Sequence, residues 1–155
     1  MSGAISRRVE RIRAGNDPEL LCAMPSGYAI LGKYQPEAIT GCCMLLPGDV
    51  VASPNDLDRA GRERFFGDLV LLGDAIVSVT GCERVNYLVL CNQVPELHGH
   101  CVPRFAGEDP DKRMQGPFEA YDFGSARVAD AGRADSVLHA RLREALLGLL
   151  AQRDD

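Results

Sequence analysis

The sequence predicts an α+β domain in which an antiparallel sheet of four or more strands carries a long helix and terminal helices on one side. Three observations lead there. Short apolar runs bounded by glycine and proline come in pairs along the chain, and strands adjacent in sequence favour antiparallel pairing. One long stretch keeps its apolar residues at alternating steps of four and three, the repeat of a helix with one buried face. The 155 residues suffice for one core and fall short of two. Residues 1–155 are therefore read as a single domain, with its core over about 25–105 and a C-terminal extension and helix over 106–152.

Ile5, Val9 and Ile12 recur at helical spacing, and Gly15 follows where a left-handed cap would stop the helix. Residues 28–31 and 42–46 are apolar runs between turn residues and read as two strands that pair as neighbours. Pro47-Gly48 and Ser53-Pro54-Asn55-Asp56 flank a loop around Val50 and Val51. From Asp58 onward Phe65, Leu69, Leu72, Ile76 and Val79 make the longest helix, with Gly81 as its stop signal. Residues 85–90 and 97–105 read as two further strands, joined by Cys91-Asn92-Gln93-Val94-Pro95, short enough for a hairpin-like connection. Residues 106–132 are rich in Gly, Asp and Pro without a clean period and read as irregular. Val137, Leu138, Leu142, Ala145, Leu146 and Leu149 form a closing helix for which Asp135 is the candidate cap. The open sheet leaves two unpaired edges, so an edge strand or the long helix offers a surface to a second copy.

Apolar residues make up 46% and charged residues 25%, the balance of a globular chain. The formal net charge of -5 includes no long block of one sign. That argues against duplex DNA or an anionic membrane as partner, and leaves room for a small anion held by a few local donors. No apolar run approaches the roughly 18 residues of a membrane span. The opening residues interleave charge with apolar side chains where a signal peptide needs an apolar core, so the expected location is cytoplasmic. The six cysteines lack C-x-x-C spacing, Cys42 and Cys43 are adjacent, and buried reduced thiols are the expected state.

The chemistry concentrates around His98 and His100, two of only three histidines. Alternate residues of a strand share a face, so Glu96, His98 and His100 are expected as one polar row, with Leu97, Gly99 and Cys101 turned toward the helices. Two imidazoles and a carboxylate are costly to bury together without partners, which makes chemical use the better reading of the row.

This stretch resembles the signature of the histidine triad (HIT) superfamily, His-φ-His-φ-His-φ-φ with φ apolar, which in many bacterial members follows Asn-x-x-Pro and precedes Pro-Arg. Here Asn92-Gln93-Val94-Pro95 leads into Glu96-Leu97-His98-Gly99-His100-Cys101-Val102 and then Pro103-Arg104. Gly27-Tyr28-Ala29-Ile30-Leu31-Gly32, Leu45-Leu46-Pro47, the long helix and Val85-Asn86-Tyr87 also come in the family's order and spacing. Two positions depart from the pattern. Glu96 stands at the first triad position, and Pro47 is followed by Gly48-Asp49 where the family usually has a histidine.

The resemblance implies a HIT-like fold and an activity similar to bacterial dinucleoside polyphosphate hydrolases. His98 would attack the α-phosphorus of a dinucleoside polyphosphate, such as diadenosine tetraphosphate, or of a nucleoside phosphoramidate. The nucleotidyl-histidine so formed would then be hydrolysed by water. Imidazole suits the task, because at neutral pH one ring nitrogen has a free lone pair while the other keeps its proton. The resemblance places a backbone carbonyl, that of Glu96, against the protonated nitrogen, and His100 on a non-bridging phosphate oxygen or the leaving group. It implies no cofactor or metal, a nucleotide as partner in place of nucleic acid or membrane, and a homodimer.

Asn92 and Gln93, neutral amide donors ahead of the motif, and Asn86, a residue type disfavoured in strands, are candidate substrate contacts. Asn92 equally suits a turn. Glu96 also stands among the candidate substrate-binding residues, binding a leaving amine or else pointing at water, since a carboxylate favours a charged imidazole but repels phosphate. Arg104 reads as a solvated or dimer-contact arginine with phosphate pairing as the alternative, and His139 reads as structural. Lys33 stands where many family members carry an acidic residue near the ribose. Two other functions stay open: a nucleotide-binding module without catalysis, and a metal site built on Glu96, His98 and His100.

Overall fold

The computed structural model of the chain describes residues 3–153. At its centre are the strands β1 (Leu20–Met24), β2 (Gly27–Leu31), β3 (Cys43–Pro47), β4 (Arg84–Leu88) and β5 (Gly99–Arg104). They form one five-stranded antiparallel sheet in the order β1-β2-β3-β5-β4. The α+β expectation holds, and β2 and β3 pair as neighbours. Strand β1 is an addition to the expected elements. A bulge between Leu20 and Cys22 turns both Leu21 and Cys22 into the core, so the run shows no alternation from which a strand could be read.

Among the described residues five helices surround the sheet: α1 (Ala4–Arg13), α2 (Arg59–Thr80), α3 (Pro110–Arg113), α4 (Pro117–Ala120) and α5 (Ser136–Arg153). Helix α2 begins and ends where local chemistry dictates. The Asp58 side chain accepts the Gly61 N–H at 2.7 Å, and Gly81 takes the left-handed conformation (φ 67°) that releases the chain.

The sheet is apolar on both faces, and each face has its own cover. Leu31, Leu45 and Cys101 pack with Leu69, Leu72 and Ile76 of α2 and with Leu142 and Leu146 of α5. Each of these buried leucines contributes about 1.5–3 kcal/mol by leaving water. At Gly99 a Cβ would lie 2.7 Å from the Leu69 side chain, so glycine between the two histidines lets α2 close on β5. On the opposite face Ile30 and Leu46 pack with Ile5, Val9 and Ile12 of α1. The terminal helices therefore lie on opposite faces, a correction to the expectation of helices on one side, because strands apolar on both faces need two covers.

Residues 106–132 were expected to be irregular. They fold into α3, α4, a 3-10 turn over Phe123–Ser125 and one bridge that pairs Tyr34 with Val128. Tyr121 and Phe123 pack on Val102, so this segment covers the other end of the face that α1 occupies. Asp135 stands just before α5 as a cap would. Its carboxylate instead meets Arg127, at 2.9 Å on each oxygen, and the Asp130 N–H at 2.8 Å, contacts that tie down the return of the segment. Among the described residues no helix is long and apolar enough to cross a membrane.

Candidate active site

The loop from β4 into β5 places the two histidines. Leu97 is its anchor: the side chain is fully buried and the N–H donates to the Val51 carbonyl at 2.7 Å. His98 follows just before β5 begins and His100 lies within it, on the same face. Their rings are 5.1 Å apart between centroids and nearly perpendicular, at 79°.

His98 is 8% exposed, and its Nδ1 lies 2.7 Å from the carbonyl oxygen of Glu96. A carbonyl can only accept, so Nδ1 carries a proton, and in the neutral ring this leaves the lone pair on Nε2. Cys91 supports the same residue from the loop. It holds a left-handed backbone (φ 55°), which costs a non-glycine residue about 1–2 kcal/mol, and its Sγ donates to the His98 carbonyl at 3.7 Å. Burial, helped by the neighbouring His98, pushes the pKa of His100 down to about 4. His100 is therefore neutral at neutral pH, with one N–H to donate and one lone pair.

A cavity of about 730 Å³ opens beside the two rings. Met44 and Val102 from the sheet, Lys33 and Tyr34 from the chain after β2, and Phe118 and Phe123 from the C-terminal segment line it. Lys33 is the one Lys or Arg among the described residues that line it, and Asp122 the one carboxylate. His98, His100, Asn92 and Gln93 all line this cavity. The amides of Asn92 and Gln93 are exposed at its edge.

Three other expectations are corrected. Glu96 does not join the histidine row. The chain turns before β5 starts, so strand alternation does not reach back to it, and its carboxylate accepts the Ile5 N–H at 3.1 Å and the Ser6 hydroxyl at the start of α1. Asn86 shares the sheet face of His100, but its Oδ1 accepts from Arg104 Nη1 at 2.8 Å and it does not line the cavity. Arg104 is neither solvated nor at a surface. It is 4% exposed and donates to Glu108 at 3.1 Å, to the Lys112 carbonyl at 2.9 Å and to the Gln115 carbonyl at 2.7 Å. His139 is structural, with Nε2 2.8 Å from the Leu20 carbonyl oxygen. With Glu96 turned to α1, the metal reading loses its carboxylate, and among the described residues no group of three or more His, Cys, Asp or Glu is placed to hold an ion.

Sequence reasoning missed the aromatic wall. Phe118 lies edge-on to His100 with centroids 5.2 Å apart, and Phe123 backs it at 4.7 Å. A signal was available, since three of the nine aromatic residues fall within 118–123 of an otherwise polar segment.

No protein-family model and no curated protein matches the chain. Solved structures do. A histidine triad protein from Sinorhizobium meliloti superposes with a TM-score of 0.69 at 20% identity, over 93% of this chain and 97% of that one. A histidine triad protein from Bradyrhizobium japonicum gives 0.67 at 18% identity, over 88% and 94%. A hypothetical histidine triad nucleotide-binding protein from Sulfolobus tokodaii gives 0.68 at 18% identity, over 91% of each chain. Likeness at this identity establishes the fold, and the chain has the fold of histidine triad proteins.

Proposed function

We propose that this protein is a histidine triad nucleotide hydrolase or nucleotidyl transferase that acts at the α-phosphate of a dinucleoside polyphosphate or a nucleoside phosphoramidate. The observation that carries the reading is the contact of His98 Nδ1 with the Glu96 carbonyl oxygen at 2.7 Å. With Nδ1–H held by the Glu96 carbonyl, Nε2 is free to act as a nucleophile beside His100 in a cavity of nucleotide size.

Nε2 attacks the α-phosphorus; a P–N bond forms as the bond to the leaving group breaks. The electron pair departs with the polyphosphate, or with an amine that takes up a proton from water. A water molecule then attacks the phosphorus, the P–N bond breaks, its pair returns to Nε2, and the nucleoside monophosphate leaves as the water proton passes to solvent. Neutral His100 donates one hydrogen bond to a phosphate oxygen, where negative charge grows in the transition state. The Asn92 and Gln93 amides hold phosphate oxygens without titrating, and Lys33 supplies the positive charge that draws in an anion.

Rapid mixing with adenosine phosphoramidate or diadenosine tetraphosphate, quenching within seconds and mass spectrometry test this. The expected result is an adenylyl adduct on the wild type that is lost in His98→Ala. The missing histidine after Pro47 favours a second reading, a nucleotide-binding module without turnover. Binding of AMP with neither adduct nor product would favour that module.

Exposed Phe66, Val70 and Val77 on α2 and Tyr87 on edge strand β4 support a homodimer. Light scattering that finds the mass of one chain overturns it. Six unpaired cysteines are in keeping with work in the reducing cytoplasm.

A further inference from the structure

We infer that Phe118 is a positioning residue of the site: its ring shields His100 from water and holds that imidazole in one orientation toward His98, which makes the C-terminal segment part of the working site. Phe118 meets His100 in a nearly perpendicular contact at 5.2 Å and 80°, and His98 makes a second such contact with the same ring at 5.1 Å and 79°. The His100 ring thus has two perpendicular ring neighbours. Phe118 itself remains 38% exposed, an unfavourable place for a large apolar side chain unless the contact beneath it has a use.

The way Phe118 is mounted makes the same point. Gln115, three residues before it, gives its carbonyl to Arg104 at 2.7 Å. Tyr121, three residues after it, donates its hydroxyl to Glu108 at 2.7 Å, and Glu108 is bonded to the same Arg104. Arg104 and His100 lie on one face of β5. Both flanks of Phe118 are therefore tied, directly or through Glu108, to Arg104 on the strand that carries His100. Phe123 packs on Phe118 at 4.7 Å.

The low pKa of His100, near 4, agrees with this shielding. The titratable or charged groups that share its cavity are His98, Lys33, Tyr34, Cys42, Cys43 and Cys91, with Tyr121 and Asp122 from the C-terminal segment. Lys33 and Asp122 have opposite signs, and the Tyr121 hydroxyl is committed to Glu108.

The catalytic consequence rests on the proposed reaction, but the positioning itself is read without substrate. Nitrogen-15 NMR titration of the imidazoles in the full chain, with His100→Gln to assign the signals, is the test. In Phe118→Ala the His100 midpoint is expected to rise by about one unit or more toward 6.5, and Phe118→Tyr to restore it. If Phe118→Ala does not fold, Phe118→Leu, which keeps apolar bulk but loses the flat ring edge, is expected to give a smaller rise. An unchanged midpoint in a folded variant overturns the inference. Where turnover is measurable, the acid limb of the pH profile should move with the midpoint, and an acid limb that stays put while the midpoint moves also overturns it. A shifted midpoint in a protein that forms no adduct on either nucleotide upholds the positioning role and removes the reaction instead.

Discussion

The carboxylate of Glu96 accepts the backbone N–H of Ile5 at 3.1 Å, across 91 positions of sequence. A negative group thereby meets the N-terminus of α1, where unpaired N–H groups and the helix dipole favour it. The residue that begins the motif thus ties α1 to the loop that carries His98. Val94 of the same loop packs into the α1 cluster beside it.

Glu96→Ala is expected to cost about 1 kcal/mol, a fall in melting temperature of about 2–4 °C, with nucleotide affinity unchanged. Thermal unfolding alongside calorimetric titration with AMP reads both. A loss of affinity at constant stability would return Glu96 to the ligand.

Arg104 holds Glu108, Asn86 and two backbone carbonyls at once, nearly all of it out of water. Arg104→Ala leaves a buried carboxylate without its cation, and is expected to lower stability by about 3–5 kcal/mol in urea unfolding. Arg104→Lys should not restore it, because an ammonium cannot reach four acceptors spread around a planar fork. Full stability in Arg104→Lys would show that charge alone holds the segment.

Stability should fall in acid in two stages. The folded pKa of His100, about 4, lies below the ordinary 6.5, so the unfolded chain takes up its proton first. That contribution is complete above 6.5 and is lost as pH falls to about 4. Burial alone would raise Glu108, but hydrogen bonds from Arg104 and Tyr121 outweigh it and hold the carboxyl below its usual range. Asp135 is held low chiefly by its hydrogen bonds from Arg127. Stability from these two is present above the ordinary carboxylate range and is lost as pH falls through their lowered folded values. Urea unfolding across pH is expected to lose the upper stage in His100→Gln and keep the lower one.

Among the described residues Lys33 is the one Lys or Arg lining the cavity, its Nζ 5.2 Å from the centre of the Tyr34 ring. Lys33→Ala is expected to weaken binding of a nucleotide by about fivefold at low salt, on the order of 1 kcal/mol for one solvated charge pair, and by less as salt rises. Equal affinity at low salt would mean that the anionic end of the ligand lies elsewhere.

What could be read from the residues alone follows their range of action. Helix α2 was legible from Asp58 to Gly81 because its stripe, its cap and its stop are all local, and strands β2 to β5 because apolar runs between turn residues are local too. The place of His98 and His100 followed from the motif. Strand β1 was hidden because its bulge erases the alternation by which a strand is recognised.

The sequence by itself determined an α+β domain, two imidazoles side by side on one face of the sheet, and a long helix packed on the other. Only the tertiary structure decided the neighbours of those imidazoles. Glu96 turns to α1, Asn86 to Arg104, and Phe118 comes to His100 because Arg104 and Glu108 fasten its segment there. The physical reason is common to all three. A polar or aromatic side chain goes to the partner that best satisfies it in space, and that partner is set by packing between elements remote in sequence, which no local periodicity records.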